Sequence, residues 1–336
     1  MKRIYYIILA FSLLGTELLF AQENPVGNIS SLPYFLNPSF YAMNDLGKVG
    51  FVYQSEMQNI GSQEERRLVF GSYNFQEGGF TLGLDIDSKT FKSTGFNETR
   101  VTGHYIYDLN IDSDWVVNPS LSLSFVSRQF QPGNVFLEDQ INILTGDISL
   151  TSGDPLLSLI KNRQYISIGA AAVVHNSYNQ AFGISIKNIN NPNQSIVDGQ
   201  TDKLKFLTSL QHTVVFDINR YKQSPILPNF TYIRLFNSVA KYGSRIRIDA
   251  QQRLDLNDFY LSLSQQINKL AQTDLHKFGF GVGLYVGSIE YGFNYNFNSA
   301  SNPLAVPFKT LEFFVSFDLS PIAGRYRGDR SPFRHF

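Results

Sequence analysis

From position 48 onward the chain alternates apolar and polar residues along most of its length. In GFTLGLDID (79–87), Phe80, Leu82, Leu84 and Ile86 fall on one side, and Thr81, Gly83, Asp85 and Asp87 on the other. PSLSLSF (119–125) sets Leu121, Leu123 and Phe125 against Ser120, Ser122 and Ser124, and KTLEFFVSFD (309–318) lines up Leu311, Phe313, Val315 and Phe317. A period of two is the signature of an extended strand with unlike faces. Fourteen such segments follow one another, near 48–56, 66–75, 79–88, 97–109, 115–127, 163–174, 179–188, 203–218, 230–239, 243–254, 257–267, 275–286, 288–297 and 309–318. No long amphipathic helix interrupts them, so the fold class is all-β.

The segments are long for a soluble sandwich, whose strands typically hold five or six residues. Alternation of this length, broken by turns, matches a transmembrane antiparallel up-and-down β-barrel of about fourteen strands. Hydrocarbon offers backbone groups no partner, so such a sheet must close on itself. The connections alternate too. Those at 76–78, 110–114, 175–179, 254–258 and Gly287 are tight, whereas 128–162, 189–202 and 298–308 are long. With a periplasmic amino terminus, the tight set faces the periplasm. The stretch 219–229, with Pro225 and Pro228, is the long exception.

The second face carries Asp85, Asp87, His104, Asp108, Arg245, Arg247, Asp249, Arg253, Glu290 and Glu312. An Arg facing lipid near mid-membrane costs roughly 2–4 kcal/mol, so these ten residues are assigned to the lumen. Their mixed signs point to a paired internal network rather than an ion-selective constriction, where one sign dominates. In HKFGFGVGLYV (276–286), Gly279, Gly281 and Gly283 alternate with Phe278, Phe280 and Val282. A phosphate-cradling loop needs its glycines in a turn that opens a helix. Strict alternation instead places them on the lumenal face, where they leave room for a plug or a neighbouring chain.

Composition then removes whole classes. There are 28 basic and 28 acidic residues, so no field draws nucleic acid. Cysteine is absent, which excludes disulfides, thiolate sites and a cysteine nucleophile. The five His are scattered without metal-site spacing, and no nucleophile-elbow motif is present. No cofactor, metal or catalytic activity is expected. Lys2, Arg3 and the apolar run 4–14 form a secretory signal, cut after about Ala21. The expected organisation is a signal peptide (1–21), a periplasmic amino-terminal segment (22–47), a barrel (48–318) and a basic tail (319–336), in the outer membrane and in contact with its lipid. Pro38 disfavours helix at the residue before it, which would hold that segment extended beneath the barrel mouth.

The stretch SLPYFLNPSFYAMNDLGKVGFVYQSEM (31–57) resembles the opening of the PorP/SprF family of Bacteroidetes outer-membrane proteins, associated with type IX secretion and gliding motility. Asn37, Pro38, Ser39, Phe40 and Tyr41, followed by Ala42, carry the likeness. Met43 and Asn44 stand where the family has a Gly soon after the aromatic residue, as in a divergent member. The resemblance implies a non-enzymatic barrel that assists translocation or surface attachment of a secreted partner such as an adhesin. It also implies partners: a surface protein with a C-terminal sorting domain, and periplasmic components of the secretion or gliding machinery. The alternative is a FadL-like transporter of hydrophobic small molecules, which predicts an apolar pocket in the lumen.

Overall fold

The computed structural model describes residues 29–58, 63–92, 94–131, 140–141, 147, 149, 160–176, 179–219, 226–269, 274–299 and 308–320. The signal peptide and the tail beyond residue 320 lie outside them. Fifteen strands form: β1 (Lys48–Gln58), β2 (Gln63–Phe75), β3 (Phe80–Phe91), β4 (Phe96–Tyr107), β5 (Leu109–Asn110), β6 (Trp115–Phe130), β7 (Arg163–Asn176), β8 (Gln180–Lys187), β9 (Leu207–Asp217), β10 (Thr231–Tyr242), β11 (Arg245–Leu256), β12 (Phe259–Lys269), β13 (Asp274–Val286), β14 (Ile289–Ser299) and β15 (Phe308–Asp318).

Each strand pairs antiparallel with its sequence neighbour, and β4 reaches past the two-residue β5 to pair with β6. β1 closes onto β15 in a register running from Lys48 opposite Asp318 to Gln58 opposite Phe308. The result is a closed barrel of fourteen strands. The expected segments all form. The eighth, which becomes β9, starts at Leu207 rather than 203, and the fourth ends at Tyr107, leaving Asp108 between strands. An 11-residue strand such as β1, rising about 3.3 Å per residue at a tilt of roughly 40°, spans about 28 Å, enough for an apolar band near 25 Å.

The outward side chains are the alternating apolar ones. Leu82, Leu84, Ile86, Leu121, Leu123, Phe278, Phe280, Val282, Leu284 and Phe313 are exposed, as a lipid-facing wall requires. Tyr73, Phe75, Phe80 and Tyr105 form a chain of ring contacts 4.8 to 5.6 Å apart on this outer face. They lie near the rim that holds Lys48 and Asp318, here termed the near rim, where aromatic rings mark a membrane interface. Tight turns at Asn257 (φ 60) and Gly287 (φ 62) also lie there. At the far rim, the connection 188–206 folds inward. Its Leu204 is buried with Val126 and Tyr165, and Tyr242 packs against them.

The apolar core of the chain lies inside the barrel. Residues 29–46, expected to sit beneath the mouth as an extended periplasmic segment, instead enter the lumen and fold there. Leu32, Tyr34, Leu36, Phe40, Tyr41 and Met43 are buried with wall residues including Leu68, Phe70, Ile106, Val173, Phe236 and Phe314. The reason is that β2 and β10 turn apolar side chains inward as well as outward, and only an apolar insert can cover them. Full burial of one such side chain contributes about 1.5–3 kcal/mol. Six of them hold the insert far more firmly than its hydrogen bonds alone would.

Candidate functional site: the plugged lumen

The insert is a plug of two short 3-10 turns, Pro33–Phe35 and Pro38–Met43, each with Pro at its start. Asn37 between them is extended (φ −145, ψ 107), as a residue before Pro should be. Its carbonyl side-chain oxygen accepts from Ser39 N–H at 3.0 Å, capping the second turn. Its side-chain amide donates to Ala172 O (3.1 Å), Ile184 O (3.1 Å) and Gln211 Oε1 (3.0 Å). One side chain thereby joins the plug to β7, β8 and β9.

Further latches surround it. Ser39 and Ser120 share a hydroxyl hydrogen bond at 2.8 Å. Ser185 Oγ donates to Leu36 O (2.8 Å), and Lys187 Nζ donates to Phe35 O (2.7 Å). Tyr41 donates its hydroxyl hydrogen to Asp85. Asp85 also meets His104 Nε2 at 2.8 Å, and His104 Nδ1 meets Ser122 at 2.8 Å. The Tyr41 ring stacks on Tyr34 with centroids 4.4 Å apart. At the base, Ser30 N–H donates to Gln251 (2.7 Å) and Arg253 donates to Ser31. The chain leaves the plug through Gly47 (φ 144), where a Cβ would strike the Ser72 backbone, and enters β1. Asn37, Pro38, Ser39, Phe40 and Tyr41 are thus all buried, and they form the centre of the plug.

The wall charges pair largely among themselves. Near the near rim, Lys48 meets Glu290 (3.0 Å), Glu290 meets Arg253 (3.3 Å), and Arg253 meets Asp255 (2.8 Å). Arg234 stands 3.8 Å from the same Asp255, and the Arg253 guanidinium lies 3.6 Å over the Tyr260 ring. Arg66 grips Asp87 through two bonds of 2.8 Å, the planar fork that suits Arg to carboxylates. Asp249 accepts from Arg247 (2.9 Å), Ser238 (2.9 Å) and Gln266 (2.5 Å). Glu312 accepts from Asn294 at 3.3 Å.

Of the ten residues assigned to the lumen, Asp85, Asp87, His104, Asp249, Arg253, Glu290 and Glu312 are buried inside it. Arg247 is half-buried on the same face. Asp108 and Arg245 keep that side but lie at opposite rims, half-buried. Asp108 accepts from Asn118 at 2.7 Å, and partial burial raises its carboxyl. Lys48, Arg66, Arg234 and Asp255 were missed. Continuing the two-residue step from Arg253 would have reached Asp255, whereas Arg234 sits in TYIRLFNSVA, where both faces are largely apolar.

The glycine expectation needs correction. Cβ atoms at Gly279 and Gly281 would collide with Asn296 and Asn294 of β14, and one at Gly283 with the Tyr260 ring of β12. These glycines make room for side chains of adjacent strands. The plug is accommodated elsewhere: a Cβ at Gly83 would stand 3.1 Å from the Tyr41 ring, and one at Gly183 2.8 Å from Asn37 Nδ2.

Between plug and wall remains a cavity of about 70 Å³, lined by Phe35, Arg66, Asp87, Thr102, Ser124 and Lys187 among others. It suits a few water molecules rather than an apolar solute. Among the described residues, no group of His, Asp or Glu side chains converges as metal ligands would.

These features define a closed transmembrane β-barrel of outer-membrane type with an internal plug. The chain belongs to the type IX secretion system membrane protein PorP/SprF family, whose profile matches residues 20–317. No curated protein matches it. Among solved structures it is similar to the Acinetobacter baumannii outer membrane protein Omp33, at 10% identity over 82% of this chain and 99% of that one, with a TM-score of 0.45. It is also similar to the P. putida toluene transporter TodX (10%, 84% and 92%, 0.44) and to the KdgM porin (11%, 80% and 98%, 0.34). At this distance the neighbours say nothing about what this chain binds.

Proposed function

We propose that this barrel is a non-catalytic outer-membrane component of type IX secretion that holds a secreted protein at the cell surface rather than conducting it through its own lumen. The partner on the outside is a surface protein bearing a C-terminal sorting domain, such as an adhesin. The partners on the inside are periplasmic parts of the secretion or gliding machinery. The observation that carries the reading is the seal. The plug occupies the lumen, and the gap between it and the wall beside Arg66 and Asp87, about 70 Å³, is far too small for a polypeptide to pass. The far rim, with its long connections, remains as a docking surface, and the folded connection 188–206 gives that surface a fixed part.

Removing the barrel from the cell tests this. The expected outcome is loss of one large protein from the cell exterior and its recovery in the periplasm. That same protein should co-purify with the detergent-solubilised barrel. An unchanged surface proteome would overturn the role.

A further inference from the structure

We infer that the barrel is also a gated pore for small hydrophilic solutes, with residues 29–46 as its gate. Three observations on the plug and wall lead there, and none depends on the secretion role.

First, the plug is not part of the sheet. The fourteen wall strands pair with one another, and β1 closes on β15 directly; the plug continues the sheet only at its last residue, where Asn74 N–H of β2 donates to Leu46 O at 2.6 Å. Its polar attachment consists of hydrogen bonds to the wall, chiefly through side chains such as Asn37, Ser39 and Tyr41. Withdrawal would leave the barrel closed and its strand ladders paired, with Asn74 N–H at the near rim turning from Leu46 O to water.

Second, the wall is built to be wetted. Arg66 with Asp87, Lys48 with Glu290, and Arg247 with Asp249 are paired across or along strands without help from the plug. The plug's partners Gln211, Ser120 and Ser185 are polar and would be satisfied by water. A structural insert that never leaves could rest on an apolar wall alone. This one rests partly on a hydrophilic wall and partly on the patch around Leu68, Phe70 and Phe236.

Third, the same apolar patch keeps the gate shut at rest, because leaving exposes six apolar plug side chains together with the patch. Unaided opening is therefore rare and brief, and a pull on the plug would prolong it. Near the near rim, the bonds that hold the first leg include Ser30 N–H on Gln251 and Arg253 on Ser31. Traction from that side would peel it in order. Because lumenal charges of both signs alternate, the open pore would discriminate weakly between small cations and anions.

The test uses the full chain in planar bilayers with potassium chloride on both sides. The chain contains no Cys, so the double variant Ser39→Cys/Ser120→Cys introduces the sole thiols, at positions whose hydroxyls lie 2.8 Å apart. The oxidised pair should be silent. Reduction with dithiothreitol should restore brief openings, and Asn37→Ala should raise the open fraction at least tenfold. Correct assembly is checked by heat-modifiable migration. Equal conductance of the oxidised and reduced pair, silent or open, would overturn the gate, as would a correctly assembled Asn37→Ala barrel that stays as quiet as the parent. If Asn37→Ala fails to assemble, the redox comparison decides alone. Loss of a surface protein reads the secretion role separately, so the two readings fail independently.

Discussion

Gly183 of β8 lies directly against Asn37 of the plug: a Cβ at 183 would stand 2.8 Å from the Asn37 amide nitrogen, and closer still to Gln211 Oε1. The glycine clears the place where one amide serves acceptors on three strands. Gly183→Val should therefore unseat the plug without opening the wall. Limited proteolysis checks this. Cleavage within residues 29–46 should appear in Gly183→Val and be absent from the parent, while the rest of the barrel stays resistant and heat-modifiable.

Asn37 itself can be tested by truncation. Its two amide N–H groups are shared among three acceptors, a full hydrogen bond being worth about 1 kcal/mol net, and its side-chain oxygen caps the second turn. Asn37→Ala should weaken the seating of the plug by roughly 2–3 kcal/mol and raise amide exchange of plug residues by about two orders of magnitude. Exchange in the wall strands should not change. Uniformly faster exchange across the barrel would mean that Asn37 supports the wall itself.

How far the sequence exposes this arrangement depends on how local each cause is. A strand between lipid and a wet lumen writes its environment into adjacent residues, so PSLSLSF and GFTLGLDID are readable without knowing their neighbours. Asp85, Asp249 and Glu290 are readable for the same reason, because lipid forbids the other face. The plug has no such period. Its residues are explained by Ala172, Ile184 and Gln211, more than a hundred positions away. The inward-facing Leu68 and Phe70 are equally opaque. They break the alternation of RRLVFGSYNF because Tyr34 and Phe35 pack against Phe70. The lumenal glycines are readable as inward-facing, but what fills their space depends on the β12 and β14 register.

That register yields a compensation test. Gly281 stands between Ser262 and Asn294, and a Cβ there would overlap the Asn294 side-chain oxygen. Gly281→Ala should lower stability in refolding assays by about 1–3 kcal/mol, the usual range for overpacking. Adding Asn294→Gly removes the obstruction and should recover much of the loss. No recovery in the double variant would show that the backbone of β13, rather than the cross-strand contact, requires glycine.

The two faces of β6 separate lipid from lumen within one residue. Leu123 is 58% exposed on the outer face. Leu123→Arg should cost about 2–4 kcal/mol in denaturant unfolding from lipid vesicles, as Arg near the bilayer midplane does. Ser124, buried on the inner face and bonded to Thr102 at 2.9 Å, should tolerate Ser124→Thr with little change. Equal costs at the two positions would place β6 outside the hydrocarbon.

The Arg66–Asp87 pair, gripped by two bonds of 2.8 Å with both side chains largely buried, gives a direct reading of lumenal electrostatics. Removing one partner from a buried ion pair typically costs about 3–5 kcal/mol, because it strands the other charge. Arg66→Met should therefore destabilise strongly, and Asp87→Leu by a similar amount. The pair removed together should cost much less than the sum of the singles, since two apolar side chains in contact need no partner. A double-mutant cycle on chemical unfolding of the refolded barrel measures the coupling. A coupling near zero would mean that water already solvates both groups, and the lumen beside the plug would then be wetter than a 70 Å³ cavity implies. A coupling of several kcal/mol would mean that the plug shields this pair, so Asn37→Ala, by loosening the plug, should reduce it in the same assay.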